Sequence, residues 1–160
     1  MAEAPPRIHL ARHGQTEWSR TGRHTGREDP PLTAHGEEEA RRLGDPLRTI
    51  SVATVLSSPL QRARKTCELA GFGDAPQIMA DLMEWDYGKY EGLTTAEIRA
   101  RRPGWTLFRD GCPGGERLTD VIARADRLVA MLKSARGDVL VFSHGHFLRV
   151  LTTRWAARFS

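Results

Sequence analysis

Two segments of the chain set a histidine between an apolar run and a glycine. Arg12-His13-Gly14 follows Ile8-His9-Leu10-Ala11, and Ser143-His144-Gly145 follows Val139-Leu140-Val141-Phe142. Each apolar run has the length of a buried strand. A glycine after it gives the backbone room for a tight turn. In open α/β sheets, ligands bind outside the carboxyl ends of the strands. Two histidines and Arg12 are therefore expected along one sheet edge. The planar guanidinium matches phosphate oxygens and stays charged at physiological pH, so the chemistry indicated is that of phosphate. Gln15 and Thr16 add donors in the same loop. A histidine at a strand end is more often a hydrogen-bonded core residue, but the arginine and glycine beside His13 shift the weight toward a site.

Arg62 is a second clue. It lies near the start of a helix, where the partial positive charge makes a cation mildly unfavourable. A bound anion would reverse that sign; a surface arginine pointing away explains the residue equally well. Met83-Glu84-Trp85-Asp86-Tyr87-Gly88 mixes carboxylates with aromatic rings. A carboxyl group among apolar rings has its pKa raised and can act as a general acid. The residue types alone do not separate Glu84, Asp86 and Glu91. His144-Gly145-His146 has the form of a metal-binding pair, but no carboxylate or thiol stands close in sequence. The better reading puts His144 at the crevice that His13 faces, and assigns His146 no role.

These residues need a scaffold, and the chain alternates strand and helix signals. Strands are expected at 8–11, 52–56 and 139–142, with a short one near 77–79. A helix begins after Thr33 as N-cap, carries Glu37, Glu38 and Glu39 early, and should stop by Pro46. Ser58-Pro59 reads as N-cap and first helical position, with Gly71 at the C-terminal cap. Thr94-Thr95-Ala96-Glu97 is a capping box opening a short helix that stops before Pro103. Over 117–135, Leu118, Val121, Ile122, Ala125, Leu128, Val129 and Leu132 form one apolar helix face. A last helix follows His146. This alternation predicts an α/β layer fold with a largely parallel sheet.

With 160 residues, 39% apolar and 28% charged, the chain fits one domain, 1–160, with an adequate core. No apolar run nears membrane-spanning length, and Met1-Ala2-Glu3-Ala4-Pro5-Pro6 lacks the basic and apolar regions of a signal peptide. Cys67 and Cys112 form neither a disulfide framework nor a metal spacing, so free thiols and a cytoplasmic setting are the default. The net charge is +4, but the arginines are scattered and interrupted by acids. Nucleic-acid binding needs clustered basic residues interleaved with aromatics, so neither nucleic acid nor membrane is expected as a partner. A homodimer is compatible with the sequence without being specified by it.

Taken together, Arg12-His13-Gly14-Gln15-Thr16, Ser58-Pro59-Leu60-Gln61-Arg62-Ala63, Glu84-Trp85-Asp86-Tyr87-Gly88 and Ser143-His144-Gly145-His146 resemble the histidine phosphatase superfamily, in its phosphoglycerate mutase-like branch. The resemblance covers nearly the whole chain in order. It implies a three-layer α/β sandwich with a mostly parallel central sheet. It implies His13 as the nucleophile that becomes phosphohistidine, Arg12, Arg62 and His144 as the phosphate pocket, and Glu84 as proton donor. Gln15, Ser19, Thr25, Gly26, Ser58, Tyr87 and Gly145 fall on substrate-side positions. Neither metal nor cofactor is implied, and the partner is a small phosphorylated metabolite.

The branch is read from what surrounds these blocks. Mutases of the family typically carry extra covering segments, and this chain has little spare sequence between Glu84 and His144. An open site favours water as acceptor. The stretches 87–94 and 110–116 resemble bacterial acid phosphatases and sedoheptulose-bisphosphatase-like members, which implies a phosphatase of small phosphomonoesters, sugar phosphates among them. Phosphoglycerate mutase activity and a non-catalytic module binding phosphate ligands are the alternatives. Two departures stand out. Position 19 is serine where many relatives have asparagine, and the chain ends at Arg158-Phe159-Ser160, where relatives usually continue with further strand structure. A sheet edge is therefore expected to stand open.

Overall fold

The computed structural model describes residues 5–74 and 76–158. The first four residues of the stretch read for a leader, and the terminal Phe159 and Ser160, lie outside the described residues. Among the described residues four parallel strands form the sheet: β1 (Ile8–Arg12), β2 (Val52–Ser57), β3 (Gln77–Ile78) and β4 (Asp138–Ser143). Their spatial order is β1-β4-β2-β3. The last strand in sequence thus enters the middle of the sheet, beside the first.

Successive strand side chains point to opposite faces, and β4 shows what each face meets. Val139 and Val141 belong to a core with Leu56, Val121, Ala125, Leu128, Leu132, Phe147, Val150 and Leu151. These come largely from α6 (Leu118–Lys133) and α7 (Gly145–Ala157). Leu140 and Phe142 pack on the other face with Ala11, Leu47, Cys67 and Ala70, from α2 (Ala34–Leu47), α3 (Gln61–Cys67) and a π-type turn at Glu68–Phe72. Helices on both faces of a parallel sheet make the expected three-layer sandwich. The central strand β4 is a continuous apolar run because both of its faces are buried. The short helices α1 (Glu17–Arg20), α4 (Thr95–Arg101) and α5 (Leu107–Asp110) lie in the connections. β1 is an edge strand, and Leu10 on it is 39% exposed.

Several local expectations need correction. The Ser58-Pro59 pair does not start α3. Leu60 is the N-cap and makes no side-chain capping bond. The Ser58 hydroxyl instead faces His144, and the first helical amide, at Gln61, donates to the Asp29 carboxylate at 2.6 Å. A distant loop caps this helix, which a local rule cannot anticipate. Helix α2 runs past Pro46 to Leu47; the ring removes one bond in the final turn, and the helix ends a residue later. The last helix begins at Gly145, with His144 as its N-cap. Gly71 does adopt a left-handed φ of 94°, though inside the π-type turn that continues α3.

Gly14 is required for a different reason than a tight turn. A Cβ there would sit 2.3 Å from the Gly36 carbonyl oxygen, and a Cβ on Gly36 would sit 2.1 Å from that of Gln15. Two glycines let the loop after β1 lie directly on the first turn of α2. Thr94 forms the expected capping box with Glu97.

Candidate active site

The register of β1 on β4 pairs Arg12 with Ser143. The residues that follow therefore leave the sheet side by side, and the His13 and His144 rings lie 5.2 Å apart. Arg12, His13, Thr25, Glu84, Tyr87 and Gly145 line one cleft of about 330 Å³. Its walls also carry Ser19, Arg23, His24, His146 and Arg149. Arg12, His13 and Ser19 also border an adjoining cavity of about 450 Å³ with Gln15 and Glu39.

His13 is buried, and its Nδ1 lies 2.7 Å from the Gly14 carbonyl oxygen. A carbonyl only accepts, so Nδ1 carries the proton and the neutral ring keeps the Nε2 lone pair. Burial lowers its pKa from 6.5 to about 3, with Arg62 and Arg12 adding to the shift and the Gly14 bond opposing it. His144 is fully buried, with Nε2 2.8 Å from the Ser58 hydroxyl, and burial together with Arg62 and the other cations holds its pKa well below the usual range. Its Nδ1 and the Nε of Arg62 are buried polar atoms with no partner among the described residues. A buried donor or acceptor left unpaired costs roughly 1–3 kcal/mol, which a ligand atom reaching either one would offset.

The two arginines do different work. Arg62 is fully buried, and its four terminal N–H groups are all taken. Nη1 donates to the Glu28 carbonyl and the Asp29 carboxylate, and Nη2 to the Thr25 and Gly26 carbonyls, at 2.8–3.0 Å. It fastens the loop that brings Thr25 to the cleft, and leaves its Nε without a partner among the described residues. Arg12 lines the cleft, and no acceptor among the described residues engages its guanidinium. Its whole fork is open to a phosphate.

The structure separates the three carboxylates that residue types alone left open. Only Glu84 lines the cleft. It is buried, and it accepts from the amides of Trp85 at 2.9 Å, Phe147 at 2.8 Å and His146 at 3.1 Å. Burial raises its pKa and outweighs these amides and the attraction of Arg62. Asp86 accepts from Gly88 N, and Glu91 from the amides of Gly26 and Glu28.

Other residues of the predicted set are placed less directly. The Gln15 side chain accepts from the Thr33 hydroxyl and borders the adjoining cavity. Ser19 spends its hydroxyl in the capping box of α1 with Thr16. Gly26 packs under the Trp85 carbonyl, where a Cβ would meet it at 2.4 Å, so this position needs glycine for close approach. Tyr87 lines the cleft while its hydroxyl points to His146 Nδ1 at 2.5 Å. Among the described residues, no group of three or more His, Cys, Asp or Glu is placed to hold a metal ion, and no helix is long and apolar enough to cross a membrane.

Sequence reasoning missed Arg124. It lies on the buried face of α6, donates to the carbonyls of Asp81 and Met83 and pairs with Glu116, whose carboxylate holds the Asp86 amide. Together they fasten the segment carrying Glu84. The signal was present: Arg124 falls three residues after Val121 and four before Leu128, on the apolar stripe itself. Asp29 lies in a loop, and nothing in its spacing marked it.

A parallel sheet between two helical layers, with Arg12, His13 and His144 at the carboxyl ends of adjacent strands and Arg62 on the helix after β2, defines a phosphate-handling α/β protein. The chain belongs to the histidine phosphatase superfamily (branch 1), whose family model matches residues 8–159. It is 44% identical to an acid phosphatase of Mycobacterium tuberculosis over 154 residues, covering 93% of this chain and 75% of the relative. It is 34% identical to the sedoheptulose 1,7-bisphosphatase of Saccharomyces cerevisiae over 187 residues, covering 97% and 69%. Among solved structures, a mycobacterial glucosyl-3-phosphoglycerate phosphatase complexed with VO3 superposes with a TM-score of 0.85 at 30% identity, covering 94% of this chain and 81% of that one. The protein is a phosphatase-type hydrolase of this family.

Proposed function

We propose that the protein hydrolyses small phosphomonoesters, sugar phosphates among them, through a phosphohistidine on His13, with no metal or other cofactor taking part. One observation carries this reading. The Gly14 carbonyl binds the Nδ1 proton of a neutral, buried imidazole, leaving the Nε2 lone pair beside the open guanidinium of Arg12. In the first step Nε2 forms a bond to phosphorus as the ester P–O bond breaks. Glu84, whose carboxyl burial biases toward the protonated form, passes its proton to the departing oxygen. In the second step a water oxygen attacks phosphorus and gives its proton to the Glu84 carboxylate. The N–P bond breaks, and inorganic phosphate leaves. Phosphoryl transfer needs chiefly positioning and stabilisation of charge on the equatorial oxygens. Arg12, Arg62 through its Nε and charge, and His144 through Nδ1 are suited to that. Arg23 and Arg149 at the cleft wall add positive potential that draws in anionic substrates.

The test is phosphate release from a panel of phosphomonoesters in excess EDTA, with acid-stable trapping of any phosphoenzyme excluded and acid-labile label sought on His13. Turnover despite chelator, lost by at least about a thousandfold in His13→Ala together with the label, is the expected result. Isomerisation of a phosphoglycerate without net release would establish a mutase instead, and binding of phosphate compounds without turnover a non-catalytic module.

A further inference from the structure

His24 and His146 are cleft residues that the mechanism leaves unused. Their rings lie parallel, 7° apart in plane with centroids at 6.1 Å. Tyr87 meets both rings edge-on, while Trp105 packs against His24 and Phe108 against His146. Each ring has one nitrogen committed to the protein, and the commitments are opposite in kind. The His24 Nδ1 lies 2.7 Å from the Leu93 carbonyl, so it donates, which leaves Nε2 as the ring's acceptor. The Tyr87 hydroxyl lies 2.5 Å from the His146 Nδ1 and has no other acceptor among the described residues, so the phenol donates to it. The proton of His146 is thereby assigned to Nε2. Burial lowers the pKa of this ring to about 4, which keeps it neutral near pH 7. The same cleft thus presents one nitrogen that only accepts and one that only donates.

We propose that His24 and His146 form a hydroxyl-reading pair at the leaving-group end of the cleft, and that they select phosphomonoesters whose leaving group carries hydroxyls, as sugar and polyol phosphates do. This rests on the phosphatase reading for the position of the phosphate. A hydroxyl both donates and accepts, so a polyhydroxylated group satisfies the two nitrogens at once, whereas a hydrocarbon or aryl group desolvates them and leaves them unpaired. Sites built to hydrogen-bond a substrate hydroxyl reject analogues lacking it for that reason. Tyr87 then acts as a positioning residue, because its hydroxyl sets which nitrogen of His146 is protonated.

The experiment compares two non-hydrolysable ligands by calorimetry on the full chain. One is the phosphonate analogue of a hexose phosphate; the other is cyclohexylmethyl phosphonate, a ring of similar size without hydroxyls. The wild type should prefer the sugar analogue by about tenfold or more, the scale of one or two neutral hydrogen bonds. His146→Leu should lose most of that preference. His146→Gln, which keeps a side-chain N–H, should retain more of it, and Tyr87→Phe should fall between. No preference in the wild type, no binding of either ligand, or an equal loss for both ligands in His146→Leu would overturn the proposal. Phosphate release from an aryl phosphate, followed on the same wild-type sample, keeps the two readings apart. Release without sugar preference sinks the histidine pair alone, and preference without release sinks the catalytic reading alone.

Discussion

Holding His13 neutral has a consequence for stability that can be measured without any substrate. The ring titrates at about 3 in the native protein against an ordinary value of 6.5. Between those values the unfolded chain binds a proton that the native ring refuses. Stability from this site is therefore complete above about pH 6.5 and is lost as the pH falls toward 3. Integrating the linkage between pH 7 and pH 5, where the native ring stays neutral and the unfolded one is almost wholly protonated, gives a loss of roughly 2 kcal/mol from His13 alone. His146, lowered to about 4, adds a comparable amount, and His144 acts in the same direction. The substitution that isolates the term is His13→Asn, whose amide N–H can take over the bond to the Gly14 carbonyl but does not titrate. Urea unfolding of both proteins in phosphate-free buffer at pH 7 and pH 5 should show the stability difference shifting by roughly 2 kcal/mol in favour of the variant at the lower pH. If the two proteins instead lose stability in parallel, the His13 ring titrates near its ordinary value. His13 would then not be held as a buried neutral imidazole.

Three further outcomes follow from the same geometry. Replacing Glu84 by Gln should cut turnover of alkyl phosphates by about a hundredfold or more and of activated aryl phosphates far less, since a good leaving group needs little protonation; in the wild type, alkyl phosphate turnover should decline as pH rises through the elevated pKa of Glu84, and an equal loss for both substrate types would remove it as proton donor. Arg12→Met should leave stability within about 0.5 kcal/mol and weaken inorganic phosphate binding by roughly tenfold or more, whereas Arg62→Met should destabilise by about 3–5 kcal/mol, because it strands Asp29 and the loop carbonyls; chemical denaturation and calorimetry on both variants check the contrast. Gly14→Ala, which drives a methyl against the Gly36 carbonyl, should cost at least about 1–3 kcal/mol and lower turnover as well, since the Gly14 carbonyl orients His13; thermal melts and kinetics of the variant decide it.

Much of this molecule was legible in its residues. The apolar run at 139–142 is a strand because side chains that bury on both faces leave no polar alternation to misread, and the run at 8–11 pairs beside it as the edge strand. Thr94 and Glu97 cap their helix because a capping box is closed within four residues. The motifs around His13, Arg62, Glu84 and His144 identify the family, and these side chains meet because parallel strands end at one edge. What depends on distant parts of the chain was not legible. Strand order decides that β4 enters beside β1 and brings His144 within 5.2 Å of His13. The Asp29 loop, rather than Ser58, caps α3, and Gly36 makes Gly14 necessary. Residue type alone did not distinguish Glu84 from Asp86 and Glu91; beyond the family resemblance, it is the amides of α7 and its place on the cleft wall that set it apart. His146 acquired a defined protonation state only through a tyrosine 59 residues away. Local sequence determines propensity and the chemical types on offer. Burial, tautomer and the pairing of charges are properties of the neighbours, and the tertiary fold alone chooses those.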